Sequence, residues 1–541
     1  MTLLWVLLSL TGFARAEEKA YDVVVYGGTS SGVVAAVQVA RMGKSTLLVE
    51  PGRHLGGLTS GGLDATDIGN KQAIGGLARE FYHRIFLHYQ QAGAWKHQSL
   101  PQYAGLNQGH WINADTMWGF EPHVAEAVYH AMLTEAHVPV LLGQRLDLRR
   151  GVIKDGPRIT ALLLESGRML TGRVFIDATY EGDLMAKAGV ASTVGREANA
   201  TYGETLNGVQ TLHALQHQFV KPVDPFVRPG DRQSGLLPGV SGSNPGREGE
   251  ADRRVQAYCF RMCTTDVPEN RRDWPKPSGY DPLRYELLLR NFEAGDLRVP
   301  WNPVLMPNRK TDTNNNFAIS TDNLGMNYDY PEGDYTLREK IVREHQTYQQ
   351  GLMWTLAHSP RVPESVRKRF QTWGLARDEF VDNDNWPHQL YVREARRMLA
   401  DYVMTEGHCT GRLVADQSVG LAAYGMDSHN TQRYVDAAGH ARNEGDVQVG
   451  GFSPYPISYR AIVPKAAQCS NLLVPVCLAA THIAYGSIRM EPVFMVLGQS
   501  AATAAVASIE QSVAVQNIDY ARLRQRLLAD HQILDWTGRR K

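Results

Sequence analysis

A β-branched run that breaks into glycines and resumes as a helix fixes the fold of this chain more tightly than anything else in it. Tyr21-Asp22-Val23-Val24-Val25-Tyr26 leads into Gly27-Gly28-Thr29-Ser30-Ser31-Gly32, and an apolar helical pattern follows over 33–42. The run has the composition of a strand buried on both faces of a parallel sheet. A second strand, 45–49, ends at Glu50. Strand, glycine turn, helix, strand and acid come in the order of a mononucleotide-binding βαβ unit. Gly27 allows the sharp turn, Gly32 lets helix and strand approach, and the helix N-terminus offers N–H groups to a diphosphate. Glu50 is placed to accept ribose hydroxyls, and its charge opposes a 2′-phosphate, which argues against NADP in this site. The departure is Thr29, where the fingerprint has its second glycine; a slight backbone shift accommodates it, and its hydroxyl can donate to phosphate.

That unit alone does not choose between NAD and FAD. After Glu50 comes His54-Leu55-Gly56-Gly57-Leu58-Thr59-Ser60-Gly61-Gly62, a glycine-dense loop that lets backbone pass close beside a cofactor. A helix over 122–136, a strand over 138–142 and short β segments up to 170 lead to Arg173-Val174-Phe175-Ile176-Asp177-Ala178-Thr179, a buried strand, and then Tyr180-Glu181-Gly182-Asp183. This arrangement resembles the glutathione-reductase-type FAD-binding fold, in which a strand ending in an Ala-Thr-Gly-like turn passes the flavin nucleotide; Tyr180 stands where that pattern has glycine. More closely, the chain resembles the FAD-dependent oxidoreductase family common among secreted bacterial proteins. The matching pieces are Tyr26-Gly27-Gly28-Thr29, His54-Leu55-Gly56-Gly57, Ile176-Asp177-Ala178-Thr179, Tyr391-Val392-Arg393-Glu394-Ala395-Arg396-Arg397, Met426-Asp427-Ser428-His429 and the block 471–505, so the resemblance spans almost the whole mature chain.

The resemblance implies FAD as cofactor. Its expected contacts are Gly27, Gly28, Thr29, Ser31, Gly32 and Glu50 from the βαβ unit, and Gly56 and Gly57 from the loop. Asp177, Ala178 and Thr179 join them from the strand end, with Gly486, Met490 and Glu491 from the C-terminal block. There Leu472-Leu473-Val474-Pro475-Val476 reads as a buried strand, 481–491 as a polar loop, and Pro492 suits the first turn of a helix continuing over 493–508. In folds of this type such a helix points its positive end at the flavin pyrimidine, where it stabilises the anionic reduced ring. No second strand–glycine–helix unit with a following acid occurs, so electrons are expected from the substrate itself rather than from NAD(P)H.

The 56 basic and 56 acidic side chains leave no electrostatic footprint for nucleic acid or an anionic membrane, and a small neutral ligand is expected. An apolar run over 3–13, then Ala14-Arg15-Ala16 and a charged stretch, reads as a signal peptide, with an uncleaved anchor as the alternative. Export to the periplasm or beyond follows, and no later run approaches the length of a membrane span. Five cysteines, an odd number, make no disulfide scaffold; Cys259 and Cys263 read as core or pocket residues, and no metal site is expected.

The expected architecture is α/β: a Rossmann-like FAD-binding domain, with a parallel sheet and a β-meander, interrupted by an α+β substrate or cap domain. Its parts are a signal peptide (1–16), the first FAD-binding portion (17–196), the insertion (197–450), the closing FAD-binding portion (451–515) and a C-terminal helix or tail (516–541). Within the insertion, 228–250 and Asn314-Asn315-Asn316 read as exposed loops, and Leu337, Ile341, His345, Tyr348 and Leu352 as one packed face of a helix.

Oxidation of an alcohol or amine carbon needs a base for the accompanying proton. His482, just before the flavin-facing helix, is the first candidate, against a buried histidine bonded to a carbonyl. Arg489 is the second, holding a substrate carboxylate or an oxyanion, against an ion pair with Glu491. Cys477 reads as an inert thiol rather than a redox group, and covalent flavin attachment at His54 is a minor alternative. Arg393, Arg396 and Arg397 with Glu394 suggest pairs on a helix surface, and 426–429 either lines a pocket or forms a turn. The expectation is an FAD-dependent oxidoreductase that takes hydride from a small polar substrate, carbohydrate-derived or another hydroxyl or amine compound, and passes electrons to an undetermined acceptor. A polysaccharide lyase or hydrolase, or a non-catalytic protein with structural FAD, are the competing readings.

Overall fold

The computed structural model describes residues 20–538 apart from 109 and 110; the expected leader lies outside the described residues. Strand β1 (Tyr21–Tyr26) buries Val23, Val24 and Val25 completely, each contributing about 1.5–3 kcal/mol of hydrophobic stabilisation. It pairs in parallel with β2 (Thr46–Val49), which pairs in parallel with β3 (Val140–Leu141). β4 (Val152–Asp155), β5 (Arg158–Leu163) and β6 (Met169–Asp177) form an antiparallel meander. β6 has two jobs: its first half pairs antiparallel with β5, and its second runs parallel to β1, Val23 facing Val174 and Tyr26 facing Asp177. The short strand Leu472–Leu473 adds in parallel to the other edge of β6. The ends of β1 and β6 therefore lie side by side, and the turns that follow them face one another.

Helix α1 (Ser30–Arg41) is buried from Ser30 through Val39. One side lies on the sheet and the other against the helix Glu491–Gln511, where a Cβ on Gly498 would overlap the carbonyl oxygen of Ser31. The run of small residues brings two helix backbones close together. This 21-residue helix is long and apolar enough to cross a membrane, contrary to the expectation that no later run is, but it is the core helix of this molecule and 94% of its apolar window is buried. It opens at Glu491 with Pro492 in its first turn, and the segment before it is helix His482–Ile488, capped by Thr481, rather than the expected loop.

A second, antiparallel sheet is built from Asn302–Met306, Lys310–Asn314, Cys263–Thr265, Gly374–Ala376 and Arg271–Arg272 in that order. Helix Tyr335–His358 buries Ile341, His345, Tyr348 and Leu352, as its spacing requires. Two expectations are corrected. Asn314 ends a strand and Asn315 is buried, so that stretch is no exposed loop. Arg393, Arg396 and Arg397 are all buried, the last in strand Arg397–Met398; Arg397 keeps the expected local partner Glu394 at 3.1 Å, but the other acids come from far along the chain: Asp322, Asp183 and Glu197.

Candidate functional site

The glycine turn after β1 is braced by hydrogen bonds from neighbouring side chains. Thr29 caps α1, its Oγ1 accepting from the N–H of Gly32 at 3.3 Å and donating to the carbonyl of Ala178, beyond β6, at 2.7 Å. Thr29 thus fastens the turn to its neighbour, a task no glycine could perform. Gly27 has φ +104°, and a Cβ there would lie 2.8 Å from the Ala178 carbonyl carbon. A Cβ on Gly32 would overlap the carbonyl oxygen of Gly27. Glu50 accepts the N–H of Gly28 at 2.6 Å and of Gly52 at 2.5 Å. Burial nevertheless pushes its carboxyl up to about 7.

This bend opens on a solvent-connected cleft of about 240 Å³. Gly27, Thr29, Glu50, Gly57 and Thr179 line it. The other expected contacts stand behind its wall. Gly28 and Gly56 are buried in the turn and loop, and Asp177 spends its carboxylate on Thr179 and the N–H of Met185. Ser31 faces the Glu491–Gln511 helix, and Gly486 packs on the backbone of Asp427.

Tyr180 and Glu491 tie the walls together. The Tyr180 ring fills the space a side chain on Gly57 would need. Its hydroxyl accepts the N–H of Leu58 at 2.9 Å and donates to Oε1 of Glu491 at 2.8 Å. Oε2 of Glu491 accepts from Ser30 Oγ at 2.5 Å and Thr59 Oγ1 at 2.9 Å. Met490 is the residue preceding that helix and is buried. The carboxylate sits at the N-terminus of α1, where the helix dipole favours it, though burial raises its pKa.

The opposite wall was missed in the sequence. The first turns of helix Tyr335–His358 supply Tyr335, Arg338, Glu339 and Val342. Arg338 is bidentate to Asp183 at 2.5 and 2.9 Å, and Arg145 stacks over Tyr335 at 4.9 Å while pairing with Glu339. Near the loop, His54 and His388 stack in parallel, centroids 3.7 Å apart. Both nitrogens of His54 meet carboxylates, Nδ1 with Glu126 at 3.1 Å and Nε2 with Asp382 at 3.2 Å, which leaves no lone pair for a covalent flavin link. Parallel rings also aim their lone pairs side by side, not at one point, so His54, Glu126 and His388 are poorly arranged for one metal ion. In the second such group, Glu121, His123 and Glu379, the Lys310 ammonium lies 2.8 Å from Glu121 and 2.5 Å from Glu379.

His482 is not in this lining. It is 2% exposed, with Nδ1 2.9 Å from both Glu394 oxygens and Nε2 2.9 Å from Ser428 Oγ. Both ring nitrogens are thus engaged, and the side chain bridges the Glu394 and Ser428 segments. Arg489 pairs with Asp427 rather than Glu491, and donates to the Tyr391 hydroxyl at 2.6 Å. Cys477 is buried with Sγ toward the Thr179 and Tyr180 carbonyls, and burial holds its thiol protonated.

A parallel sheet, a glycine bend at its carboxyl edge, an acid at the end of the second strand and an open cleft beside them define a dinucleotide-binding protein. A sequence model described as FAD dependent oxidoreductase matches residues 22–527, and the chain belongs to that family. No curated protein matches it. Among solved structures, it is similar to L-amino acid deaminase from Proteus vulgaris at 16% identity, over 38% of this chain and 55% of that one, TM-score 0.24. L-proline dehydrogenase from P.horikoshii is 14% identical over 33% and 59%, TM-score 0.23. A flavin monooxygenase mutant from Stenotrophomonas maltophilia is 18% identical over 33% and 42%, TM-score 0.20. The similarity thus covers between 42% and 59% of those relatives' lengths. FAD is the cofactor of this chain, and its residues fit it: the bend is open to the cleft, glycines stand where backbone must approach, and Glu50 lies on the lining.

Proposed function

We propose that this protein is an exported FAD-dependent oxidoreductase that takes a hydride from a small polar substrate, with 197–450 forming the domain over the substrate. One observation carries the reading: the cleft reaches Gly27 and Thr29 and is bounded by the carboxylate of Glu50. In this reading the N-terminus of α1 receives the diphosphate, and Glu50 takes the ribose hydroxyls. Tyr180 and Glu491 fix the position of the Gly56–Gly57 loop against α1. When bound, FAD supplies a two-electron acceptor; the chain binds, orients and shields.

The test is direct. Purified mature protein, or apoprotein incubated with FAD, acquires absorbance bands near about 370 and 450 nm and loses them on anaerobic addition of a donor. Protein that stays colourless with FAD present, or turnover that persists after the flavin is stripped, defeats the proposal. The second result would favour a lyase or hydrolase instead.

A further inference from the structure

Glu50 joins the glycine bend to a second part of the cleft. Its Oε2 accepts the N–H of Gly28 at 2.6 Å, while its own carbonyl accepts the N–H of Gln144 at 3.0 Å, and the carbonyl of Gly52 accepts that of Gly143 at 2.6 Å. The next residue, Arg145, lines the cleft together with Tyr335, Glu339 and Val342. Those three follow one another at i, i+4 and i+7 in helix Tyr335–His358 and so share one face of it. With the diphosphate at the bend and the ribose on Glu50, a dinucleotide carries its adenine away from the phosphate, since the base leaves the ribose at C1′ and the phosphate at C5′.

Arg145 is held as a flat surface. Its guanidinium carbon lies 4.9 Å from the centre of the Tyr335 ring, and Nη1 donates to Oε1 of Glu339 at 2.6 Å, 194 residues further along the chain. The Tyr335 ring is itself anchored. Its hydroxyl donates to the carbonyl of Leu146 at 3.0 Å, and the N–H of Leu146 donates to the hydroxyl of Tyr26, at the end of β1, at 2.9 Å. An aromatic ring on one face and a carboxylate at one edge thus set the guanidinium plane, and the side chain keeps 37% exposure. The other arginine on the lining, Arg338, is spent: it donates to both oxygens of Asp183 and to the carbonyls of Tyr330 and Pro331.

Resting on the placement of diphosphate and ribose given above, we propose that Arg145, backed by Tyr335 and aligned by Glu339, is the platform on which the adenine of FAD stacks. A guanidinium plane is a surface on which nucleobases stack, and an ammonium offers no such plane. Val342 adds an apolar side chain to the same wall. The helix that backs Arg145 belongs to 197–450, so that segment holds the adenosine half of the cofactor as well as standing over the substrate. Cofactor binding and the packing of this helix on the nucleotide-binding sheet are then linked, each stabilising the other.

The experiment is isothermal titration calorimetry of flavin-free protein with FAD and, separately, with ADP, which carries the adenine, ribose and diphosphate without the flavin. Arg145→Lys keeps the positive charge and removes the plane, and it should raise the dissociation constants of FAD and ADP alike, by about tenfold. Tyr335→Leu, which removes the ring behind the plane, should weaken both ligands in the same direction. Both side chains are partly exposed, and the urea midpoint of each variant, measured alongside, should stay near that of wild type. A contact to phosphate would survive in Arg145→Lys, so FAD and ADP binding as tight as wild type in that variant overturns the proposal. So does a loss for FAD with none for ADP, which would put Arg145 beside the flavin instead, or unchanged binding in Tyr335→Leu. Wild-type protein that binds no FAD overturns the underlying reading.

Discussion

The N–H of Gly28 and the carboxylate of Glu50 are 2.6 Å apart, so the acid that ends β2 is tied to the turn that ends β1. Burial raises this carboxyl to about 7 even so. A carboxyl whose folded pKa exceeds its unfolded one loses stability for the fold as pH rises, here from about 4.5 to about 7. The ionised form is the better acceptor for ribose hydroxyls. FAD affinity should therefore strengthen as pH rises through about 7, and Glu50→Gln should flatten that dependence and weaken binding about tenfold or more. Fluorescence titration of apoprotein with FAD at several pH values checks both.

Gly32→Ala places a methyl group against the Gly27 carbonyl. Backbone cannot yield there as a side-chain tip can, and the cost should reach about 3 kcal/mol. Urea unfolding should show a lower midpoint and the purified variant should carry little flavin. A variant as stable and as yellow as wild type would contradict the packing described.

Lys310 is fully buried among Glu121, Asp378 and Glu379, 2.8, 2.9 and 2.5 Å away. Lys310→Met leaves buried carboxylates uncompensated and should cost about 3–5 kcal/mol. Burial works against ionisation of Asp378 and Glu379, and in the wild type the lysine overcomes it and holds both pKa values low. Without it they rise, so the deficit should be larger at pH 8 than at pH 5. Denaturation at those two pH values decides it.

His482→Ala removes a side chain held through both ring nitrogens. Its Glu394 partner keeps Arg397 at 3.1 Å and the N–H of Gln256 at 3.0 Å, but loses two contacts of 2.9 Å. The expected outcome is a loss of about 1–3 kcal/mol of stability with flavin reduction by a donor substrate largely unchanged. A hundredfold slower reduction in a well-folded variant would restore His482 as the base.

All five cysteines are buried and unpaired. Burial pushes Cys259 up to about 11 and Cys409 up to about 12, far from thiolate. Native protein should leave a thiol reagent unreacted, and denatured protein should consume five equivalents.

The nucleotide half was legible because its signals are local. Gly27, Gly32 and Glu50 lie within one βαβ unit, and each does its work against a near neighbour or an adjacent strand. The spacing of Ile341, His345, Tyr348 and Leu352 likewise encodes one helical face. The polar interior was not legible, because its partners are far apart in the chain: Arg393 with Asp322, Arg396 with Asp183, Arg397 with Glu197. A run of arginines around a glutamate carries the same pattern whether it faces water or is sealed inside. His482 shows the same limit, since its partners Glu394 and Ser428 lie 88 and 54 residues away in the chain.

Glu491 holds Ser30, Thr59 and Tyr180 together, three groups that the ribosome makes hundreds of residues earlier. The pocket has no finished wall until this late carboxylate docks, so a nascent chain cannot capture its cofactor as it emerges. Loading must wait for the entire polypeptide to collapse, and a truncation that stops short of the Glu491–Gln511 helix should leave a species unable to retain flavin.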